Sequence, residues 1–322
     1  MNYAPLFSAF VTLLITFLLL HNKKTNSIVD IPNGRSLHYS PTPRVGGVGI
    51  TAGVLSGWAS MYSLVPFSLV LPLILLFVLS LWDDIRGLPV AFRFFLHFVA
   101  AIWFVFGCGL FTSVGIIALS FTILAIVWSI NLYNFMDGSD GLAGGMALFG
   151  FSIYGVAALM GGDSALAMIC FSVGAATLAF LYFNFAPAKI FMGDAGSIPL
   201  GFLVSAIGIL GWNRTLWPFW FPVMVFSPFV VDATVTLIKR FARGQKIWQA
   251  HREHYYQKLV QIGVGHRNTA LLEYLIMFAV GLSALCAMRA QEITHLIIAT
   301  WTVMYFLALG YLDYRWGQRK HD

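Results

Sequence analysis

Long apolar segments, separated by short polar stretches, recur along the whole chain. Each runs for about 17–25 residues, the length that an α-helix needs to cross the hydrocarbon core of a bilayer. Strands of a membrane β-barrel would instead show short alternating patterns. The pattern predicts an all-α polytopic membrane protein, with a single integral membrane domain over residues 1–322. Eleven spans are predicted, starting near Tyr3, Gly47, Val65, Phe92, Val114, Gly141, Ala165, Ser197, Trp217, Thr269 and Ile293.

The composition agrees with a membrane protein. Hydrophobic residues make up 59% of the chain and charged residues only 10%, against about 25% charged residues in soluble domains. The three cysteines lie in apolar segments without C-x-x-C spacing and are interpreted as packing residues. Cytoplasmic loops that face anionic lipid account for the net charge of +6. No nucleic-acid partner is therefore expected.

Basic residues predict the orientation in the membrane. With eleven spans, all but two of the 19 Lys and Arg residues fall in one set of alternate loops and termini, and the exceptions are Arg214 and Arg289. Because Lys and Arg concentrate in cytoplasmic loops, the N-terminus is predicted to lie outside and the C-terminus in the cytoplasm.

Five aspartates collect at the predicted cytoplasmic ends of helices. Asp83 and Asp84 lie in "LWDDIRG", Asp137 and Asp140 in "NLYNFMDGSDGLAGG", and Asp194 in "FMGDAGS". The preference of basic residues for the cytoplasmic side does not explain acids there. Carboxylates hold Mg²⁺, which usually binds one or two of them together with substrate phosphates. The glycines around these acids allow backbone N–H groups to approach a ligand closely.

The last long cytoplasmic loop contains "HREHYYQKL", in which His251 and His254 flank Arg252. The spacing of the two histidines would suit zinc, but no third ligand is evident. Arginine binds phosphates bidentately, so a diphosphate is the preferred interpretation.

Two further features stay open at this stage. The first loop carries Arg35, His38 and Arg44, which either contact an anionic substrate or only set the topology. Asp232 lies inside a predicted span. An acid within a membrane helix is either functional or a partner for a polar group of a neighbouring helix.

Four motifs in this order, "DDIRG", "NLYNFMDGSDGLAGG", "NFAPAKIFMGDAGS" and "HREHYYQKL", together with "PTPRVGG" in the first loop, resemble those of the polyprenyl-phosphate N-acetylhexosamine-1-phosphate transferases. The final loop is closer to the O-antigen-initiating branch than to the muramoyl-pentapeptide branch. The resemblance implies a multi-pass enzyme of the bacterial inner membrane with its active site on the cytoplasmic face. It would transfer a sugar-1-phosphate from a UDP-N-acetylated sugar to polyprenyl phosphate, with Mg²⁺ or Mn²⁺, and release UMP.

The resemblance also assigns roles for catalysis and for the metal. Asp194 would ligate Mg²⁺, with Asn134 near the same ion, and Asp83 and Asp84 would be catalytic residues beside the acceptor phosphate. Some relatives carry Lys or a third acid at the position of Gly87, so that role is not carried over here, and the neighbouring Arg86 is left as a candidate substitute. The residues assigned to substrate binding are Asp137, Asp140 and Asn184 for the nucleotide, His251, Arg252 and His254 for the diphosphate or sugar, and Arg44.

Several alternatives remain open from the sequence. The acceptor phosphate attacks the donor directly, or an aspartate forms a covalent intermediate. A transporter for an anionic solute is the competing function, although it does not explain acids on one face. The sugar is not specified; the candidates are N-acetylglucosamine and 6-deoxy relatives such as N-acetylfucosamine. A homodimer is one of the oligomeric states that the sequence allows.

Overall fold

The structure is a computed structural model that describes residues 3–22, 28–32, 36–38, 40–112, 114–246, 249 and 251–319. Arg35, singled out in the sequence, lies outside these residues. Regular structure in the described residues is almost entirely helical. The helices are α1 (Ala4–His21), α2 (Gly46–Ala59), α3 (Phe67–Arg86), α4 (Val90–Gly107), α5 (Ile116–Phe135), α6 (Leu142–Met160), α7 (Ser164–Asn184), α8 (Asp194–Asn213), α9 (Trp220–Val225), α10 (Ser227–Ala242), α11 (Tyr255–Leu259), α12 (Gly265–Arg289) and α13 (Thr294–Arg319).

The all-α polytopic architecture predicted from the sequence is confirmed. In the described part of the chain, nine helices are long and apolar enough to cross a membrane. Two of the eleven predicted spans, those starting near Gly47 and Trp217, differ from these nine. The first is α2, with 14 residues, and the second is divided into α9 and α10.

Local sequence explains why the span near Trp217 is divided. Pro228 lies at the start of α10 and has no N–H for the carbonyl group of Met224. The chain leaves helical geometry at Phe226, where ψ is 12°, and α10 begins at the next residue. A hydropathy pattern does not register this break, because both short helices are apolar.

The pairing of α1 with α2 depends on small residues. Gly49, Gly53 and Gly57 recur every four residues along α2 and face the hydroxyl-bearing Thr16, Thr12 and Ser8 of α1. A Cβ at any of these glycines would collide with a hydroxyl oxygen. Such close helix approach through small residues is typical of membrane interfaces.

The centre of the molecule is formed by α6, α7 and α8. In α8, 83% of the apolar span is buried, whereas only 6% is buried in α13 at the periphery. The helices run alternately up and down, so α3, α5 and α7 end at the face where α2, α6, α8 and α12 begin. This face is called the motif face below, because the segments "DDIRG", "MDGSDG" and "FMGDAGS" all lie at it.

A short strand pair attaches the first loop to the motif face. Strands β1 (Val29–Asp30) and β2 (Thr42–Pro43) are antiparallel, with Val29 opposite Pro43. The Phe191 N–H donates to the Pro43 carbonyl at 2.7 Å, and the Gly46 N–H donates to the Phe191 carbonyl at 2.9 Å. The first loop is thereby joined to the segment that precedes α8.

Candidate active site

A polar cavity of about 320 Å³ opens at the motif face. Seven residues predicted for the site line it: Arg44, Asp84, Asn134, Asp137, Asp140, Asn184 and Asp194. Other wall residues were not singled out as site residues, among them Asp30, Ser139, Gln257 and His266. Acids that are far apart in the sequence therefore meet in one cavity.

Asp84 joins the end of α3 to the start of α8. Its carboxylate accepts hydrogen bonds from the backbone N–H groups of Asp194, at 3.3 Å, and Ala195, at 3.0 Å. These N–H groups belong to the first turn of α8, where they have no partner within the helix and where the helix dipole favours negative charge. Asp84 therefore fixes the position of Asp194 as well as facing the cavity.

Gly193 is required for this junction. Its φ is +70°, a conformation that residues with a Cβ rarely adopt. A Cβ at Gly193 would also lie 2.6 Å from the Arg44 carbonyl oxygen and 2.9 Å from an Asp84 carboxylate oxygen. The glycine in "MGDAG" lets α8 begin directly against α3 and the first loop.

Asp83, in contrast, is not among the cavity-lining residues. One carboxylate oxygen accepts the Leu88 N–H at 2.6 Å and the other accepts from Arg93 at 2.7 Å. Arg93 also lies 3.4 Å from an Asp194 carboxylate oxygen, so it bridges the two acids. The sequence interpretation counted Arg93 only among the basic residues that predict the orientation in the membrane. Its place in the first turn of α4, ten residues after Asp83, is the signal that could have found it.

Asp137 lies in the loop between α5 and α6 and faces the cavity. Among the described residues, none donates a hydrogen bond to its carboxylate. Burial, together with the nearby carboxylates of Asp194 and Asp84, raises the pKa of Asp137 to about 8. The acids of the cavity thus repel one another, and this negative charge favours a bound cation.

Asn134, one turn earlier at the end of α5, also lines the cavity. Its amide oxygen accepts a hydrogen bond from the Ser197 hydroxyl at 2.7 Å. A carbonyl oxygen has two lone pairs, so this oxygen retains a second lone pair for a ligand.

Asp140 and Asn184 line the cavity while their side chains bind backbone. An Asp140 carboxylate oxygen accepts the Ala188 N–H at 3.0 Å. The Asn184 amide accepts the Gly141 N–H at 3.0 Å and donates to the Ile190 carbonyl at 2.8 Å. Both residues therefore connect the loop after α5 to the loop after α7, and their predicted contact with a nucleotide remains a prediction.

Arg44 and His38 bring the first loop to the cavity. The Arg44 guanidinium donates to the Asp84 carbonyl at 2.9 Å and lies 3.8 Å from its carboxylate. The His38 ring packs edge-on against Phe191, with centroids 4.9 Å apart. Its Nε2 atom is buried without a hydrogen bond. These positions favour a substrate contact over a pure topology signal.

His266 closes the cavity on the side of α12. One ring nitrogen lies 2.9 Å from the Ser139 hydroxyl, and the other lies 3.2 Å from the Leu37 carbonyl oxygen. The ring thus connects three segments: the first loop, the loop after α5, and the start of α12. His266 was not predicted; a polar residue that opens an apolar span in "GVGHRN" is the signal that points to it.

The residues predicted to hold the diphosphate, His251, Arg252 and His254, are not among those that line this cavity. Arg252 lies on a separate surface with Lys239 and Arg319. Burial, and then the nearby His254 and Arg240, lowers the pKa of His251 to about 4, so its ring is neutral near pH 7. His254 is buried next to Asp232. Their predicted role requires a different arrangement of this loop when substrate is bound.

The donor atoms at the cavity suit a hard cation. Within the described residues, no group of three or more His, Cys, Asp and Glu side chains forms a metal cage. Mg²⁺ does not need one, because it usually takes one or two carboxylates and completes its shell with water and substrate phosphates. Asp137, Asp194 and the Asn134 amide, which all line the cavity, are candidate oxygen ligands for such an ion.

Comparisons with known proteins identify the family. Residues 66–212 match the profile of glycosyl transferase family 4. A probable undecaprenyl-phosphate N-acetylglucosaminyl 1-phosphate transferase of Bacillus subtilis (strain 168) is 34% identical over 80% of this chain and 76% of that protein. The undecaprenyl-phosphate alpha-N-acetylglucosaminyl 1-phosphate transferase of Escherichia coli O157:H7 is 29% identical, with coverage of 95% and 87%. The decaprenyl-phosphate N-acetylglucosaminephosphotransferase of Mycolicibacterium smegmatis is 30% identical, with coverage of 77% and 72%.

Proposed function

The chain belongs to the polyprenyl-phosphate N-acetylhexosamine-1-phosphate transferases of glycosyl transferase family 4. We propose that it transfers N-acetylglucosamine 1-phosphate from UDP-N-acetylglucosamine to undecaprenyl phosphate and releases UMP. The relatives named above all act on N-acetylglucosamine by name, which favours this sugar over the 6-deoxy alternatives. The lipid-linked product would start an O-antigen or a related cell-surface polysaccharide.

The observation that carries the proposal is an acidic cavity at the ends of membrane helices. Asp84, Asp137 and Asp194 face one space of about 320 Å³, large enough for part of a nucleotide sugar. Such a cluster would repel the two anionic substrates unless a cation is bound with them. A cavity of this charge therefore suits metal-assisted phosphoryl chemistry better than transport of an anion.

A second, apolar groove suits the lipid acceptor. It has a volume of about 520 Å³ and lies between α5, α8, α9 and α10, with Trp128, Ile209 and Val230 in its wall. Tyr133 lines this groove, and the next residue, Asn134, lines the polar cavity. A polyprenyl chain lying there would keep its tail in an apolar setting while its phosphate reaches the acids.

The surroundings of the aspartates favour direct attack by the acceptor phosphate. Each carboxylate oxygen of Asp83 and Asp84 accepts a hydrogen bond from the chain, which stabilises the negative charge and makes either carboxylate a weaker nucleophile. The second pKa of a phosphate monoester is about 6, so the acceptor needs no strong base near neutral pH. Asp84 and Arg93 instead hold Asp194 in place beside the reacting phosphates.

Asp194, Asp137 and Asn134 would hold the metal, Mg²⁺ or Mn²⁺. When bound, the ion neutralises charge on the diphosphate and stabilises the leaving UMP. Arg44 contributes a fixed positive charge at the same wall, and the His38 Nε2 atom provides a hydrogen-bonding group for the donor.

The proposed activity is tested with purified protein, UDP-N-acetylglucosamine and undecaprenyl phosphate. We expect UMP release that requires the lipid phosphate and a divalent cation, and a slower reaction with UDP-N-acetylgalactosamine or 6-deoxy donors. Solute uptake into proteoliposomes without UMP release would instead support a transporter. If UMP were released only with a 6-deoxy donor, the proposed type of reaction would stand, and the proposed sugar would be wrong.

We also infer that the cavity faces the cytoplasm of a bacterial inner membrane. The inference depends on the distribution of basic residues, of which only Arg214 and Arg289 fall on the other face. A single cysteine at Gly244, in the loop after α10, should react with an impermeant reagent only in inverted vesicles. A cysteine at Thr215 should react only in intact cells. Reaction of both cysteines from the same side would contradict the topology.

A further inference from the structure

Asp232 is a buried acid on α10 whose carboxylate binds another segment of the chain. One oxygen accepts the Tyr255 N–H at 2.9 Å and the other accepts the Tyr256 N–H at 2.9 Å. The first oxygen also lies 3.2 Å from the His254 Nδ1 atom and accepts from the Thr236 hydroxyl at 3.2 Å. Asp232 thus supplies the acceptors for the first N–H groups of α11, which have none within that short helix.

The helix that Asp232 holds forms part of the cavity wall. Gln257 of α11 lines the cavity. The Tyr256 hydroxyl donates to the Phe135 carbonyl at 3.2 Å, at the point where the loop with Asp137 begins. A Cβ at Gly138 would collide with this hydroxyl, so Tyr256 packs directly on the loop. Contacts run without a gap from Asp232 through α11 to the loop that carries Asp137.

The same helix is bound on its other side by a second acid, which contacts only side chains. Asp313 of α13 accepts hydrogen bonds from the Tyr255 hydroxyl at 2.8 Å and the Lys258 ammonium at 2.9 Å. Tyr255 and Lys258 are not among the cavity-lining residues. Asp313 therefore offers a matched comparison. It is also an aspartate that binds α11, but its described bonds go to side chains of α11 and not to the backbone.

A second contact of α10 acts on the segment that enters α11. The buried Arg240, two turns after Asp232, pairs with Glu253. Asp232 and Arg240, both of α10, therefore hold residues 253–256 through two separate contacts. In this arrangement the histidines of "HREH" are not among the cavity-lining residues, whereas Gln257 lines the cavity and Tyr256 contacts the loop that carries Asp137.

We propose that Asp232 is a positioning residue for the donor site: by accepting the N–H groups of Tyr255 and Tyr256 it fixes α11 and, through Tyr256, the loop that carries Asp137. The proposal rests on the proposed transferase function for its kinetic test. It assigns the intramembrane acid a role through α11 and the loop, without contact with either substrate.

The first experiment compares Asp232→Asn with Asp313→Asn. An asparagine keeps the shape but turns an NH₂ group towards one of two backbone donors, so α11 loses at least one charge-assisted hydrogen bond. For Asp232→Asn we expect the donor KM to rise roughly tenfold, while the KM for undecaprenyl phosphate stays within about twofold. For Asp313→Asn both constants should stay within about twofold. An unchanged donor KM with a lower kcat in Asp232→Asn, or equal changes in both variants, would overturn the proposal.

The second experiment asks whether Asp232 acts through Tyr256. Tyr256→Phe removes the hydroxyl that bonds to the Phe135 carbonyl. If Asp232 positions that hydroxyl, the double variant Asp232→Asn, Tyr256→Phe should be no worse than Asp232→Asn alone, since the effects of coupled residues do not add. Multiplied effects on the donor KM would mean independent roles and would contradict the proposal.

Hydrogen–deuterium exchange provides a readout that does not depend on activity. In Asp232→Asn we expect faster exchange both in residues 254–260 and in residues 135–141, and in Asp313→Asn no change in residues 135–141. Faster exchange confined to residues 254–260 would show that α11 does not hold the loop. If the wild-type protein released no UMP while both segments exchanged as expected, the transferase function would fail and the positioning role would stand.

Discussion

Asp163 and Asp137 are aspartates in loops at opposite faces of the molecule, and they differ in the hydrogen-bond donors that surround their carboxylates. Asp163 precedes α7, where its carboxylate accepts the Leu166 N–H at 2.8 Å and the Arg214 guanidinium at 2.7 Å. Burial alone would raise the pKa of Asp163, but these donors outweigh it and lower the pKa. Asp137 has no donor among the described residues, and its pKa is raised.

The difference in hydrogen-bond donors and in the direction of the pKa shift distinguishes an acid that stabilises the fold from acids that are suited to bind a ligand. At the face opposite the motif face, a helix cap and an ion pair provide each carboxylate oxygen of Asp163 with a donor from the chain. At the motif face, Asp84, Asp137 and Asp194 are held close enough to repel one another. The proposed cation, bound among these acids, would offset the stability that their repulsion costs.

Asp194→Asn should have the largest effect. The substitution removes the charge at the N-terminus of α8 without changing shape, and we expect it to abolish turnover even at saturating Mg²⁺. The measurement is UMP release, with size-exclusion chromatography as the control for folding. Turnover above a tenth of the wild-type value would remove Asp194 from the metal site.

Asp137→Asn should have the next largest effect. Losing one bond to a charged group costs roughly 1.5–3 kcal/mol, so we expect kcat/KM for the UDP-sugar to fall about 10- to 150-fold, with the lipid KM nearly unchanged. Asp163→Asn, measured beside it, should retain wild-type kinetics. A rise in the lipid KM instead would place Asp137 on the acceptor side of the cavity.

Asp163→Ala should change stability and leave catalysis intact. Removing a helix N-cap costs about 0.5–2 kcal/mol, and the exposed ion pair with Arg214 adds little. We expect a lower temperature of unfolding in detergent and an unchanged kcat/KM. A fall in kcat/KM at temperatures well below unfolding would mean that the two faces are coupled.

The smallest effect concerns acid stability. The pKa of Asp163 in the folded state is lowered from its ordinary 3.8. The ionised carboxylate therefore stabilises the folded protein fully above pH 3.8, and this stabilisation is lost as the pH falls through the folded-state pKa. The difference in unfolding temperature between wild-type protein and Asp163→Asn should therefore shrink below about pH 4. A difference that stayed constant down to pH 2 would mean that the charge of Asp163 contributes nothing.

Much of the site could be predicted because topology alone assembles it. Asp84, Asp137 and Asp194 follow or precede apolar segments on the same face, so their meeting needs no knowledge of packing. Arg93 and His266 were missed for the opposite reason. A single polar residue near the end of an apolar segment carries no motif, and only the packing of α4 and α12 reveals its partners.

The loop with His251 and His254 shows a second limit. The sequence gives the spacing of the two histidines, but it does not show which way the loop that carries them faces. That direction is set by Asp232 and Arg240, which both belong to α10. The break before α10 was missed because hydropathy averages over a proline.

The bond between Asp84 and the start of α8 also bears on how the protein is made. Its partners, Asp194 and Ala195, follow Asp84 by 110 and 111 residues. At roughly 5–20 residues synthesised per second, Asp84 emerges from the ribosome some 5–20 s before the N–H groups that it will bind. During that interval Arg44, which lies beside this carboxylate in the folded protein, is already synthesised, and water at the membrane surface supplies the missing hydrogen bonds until α8 is inserted beside α3.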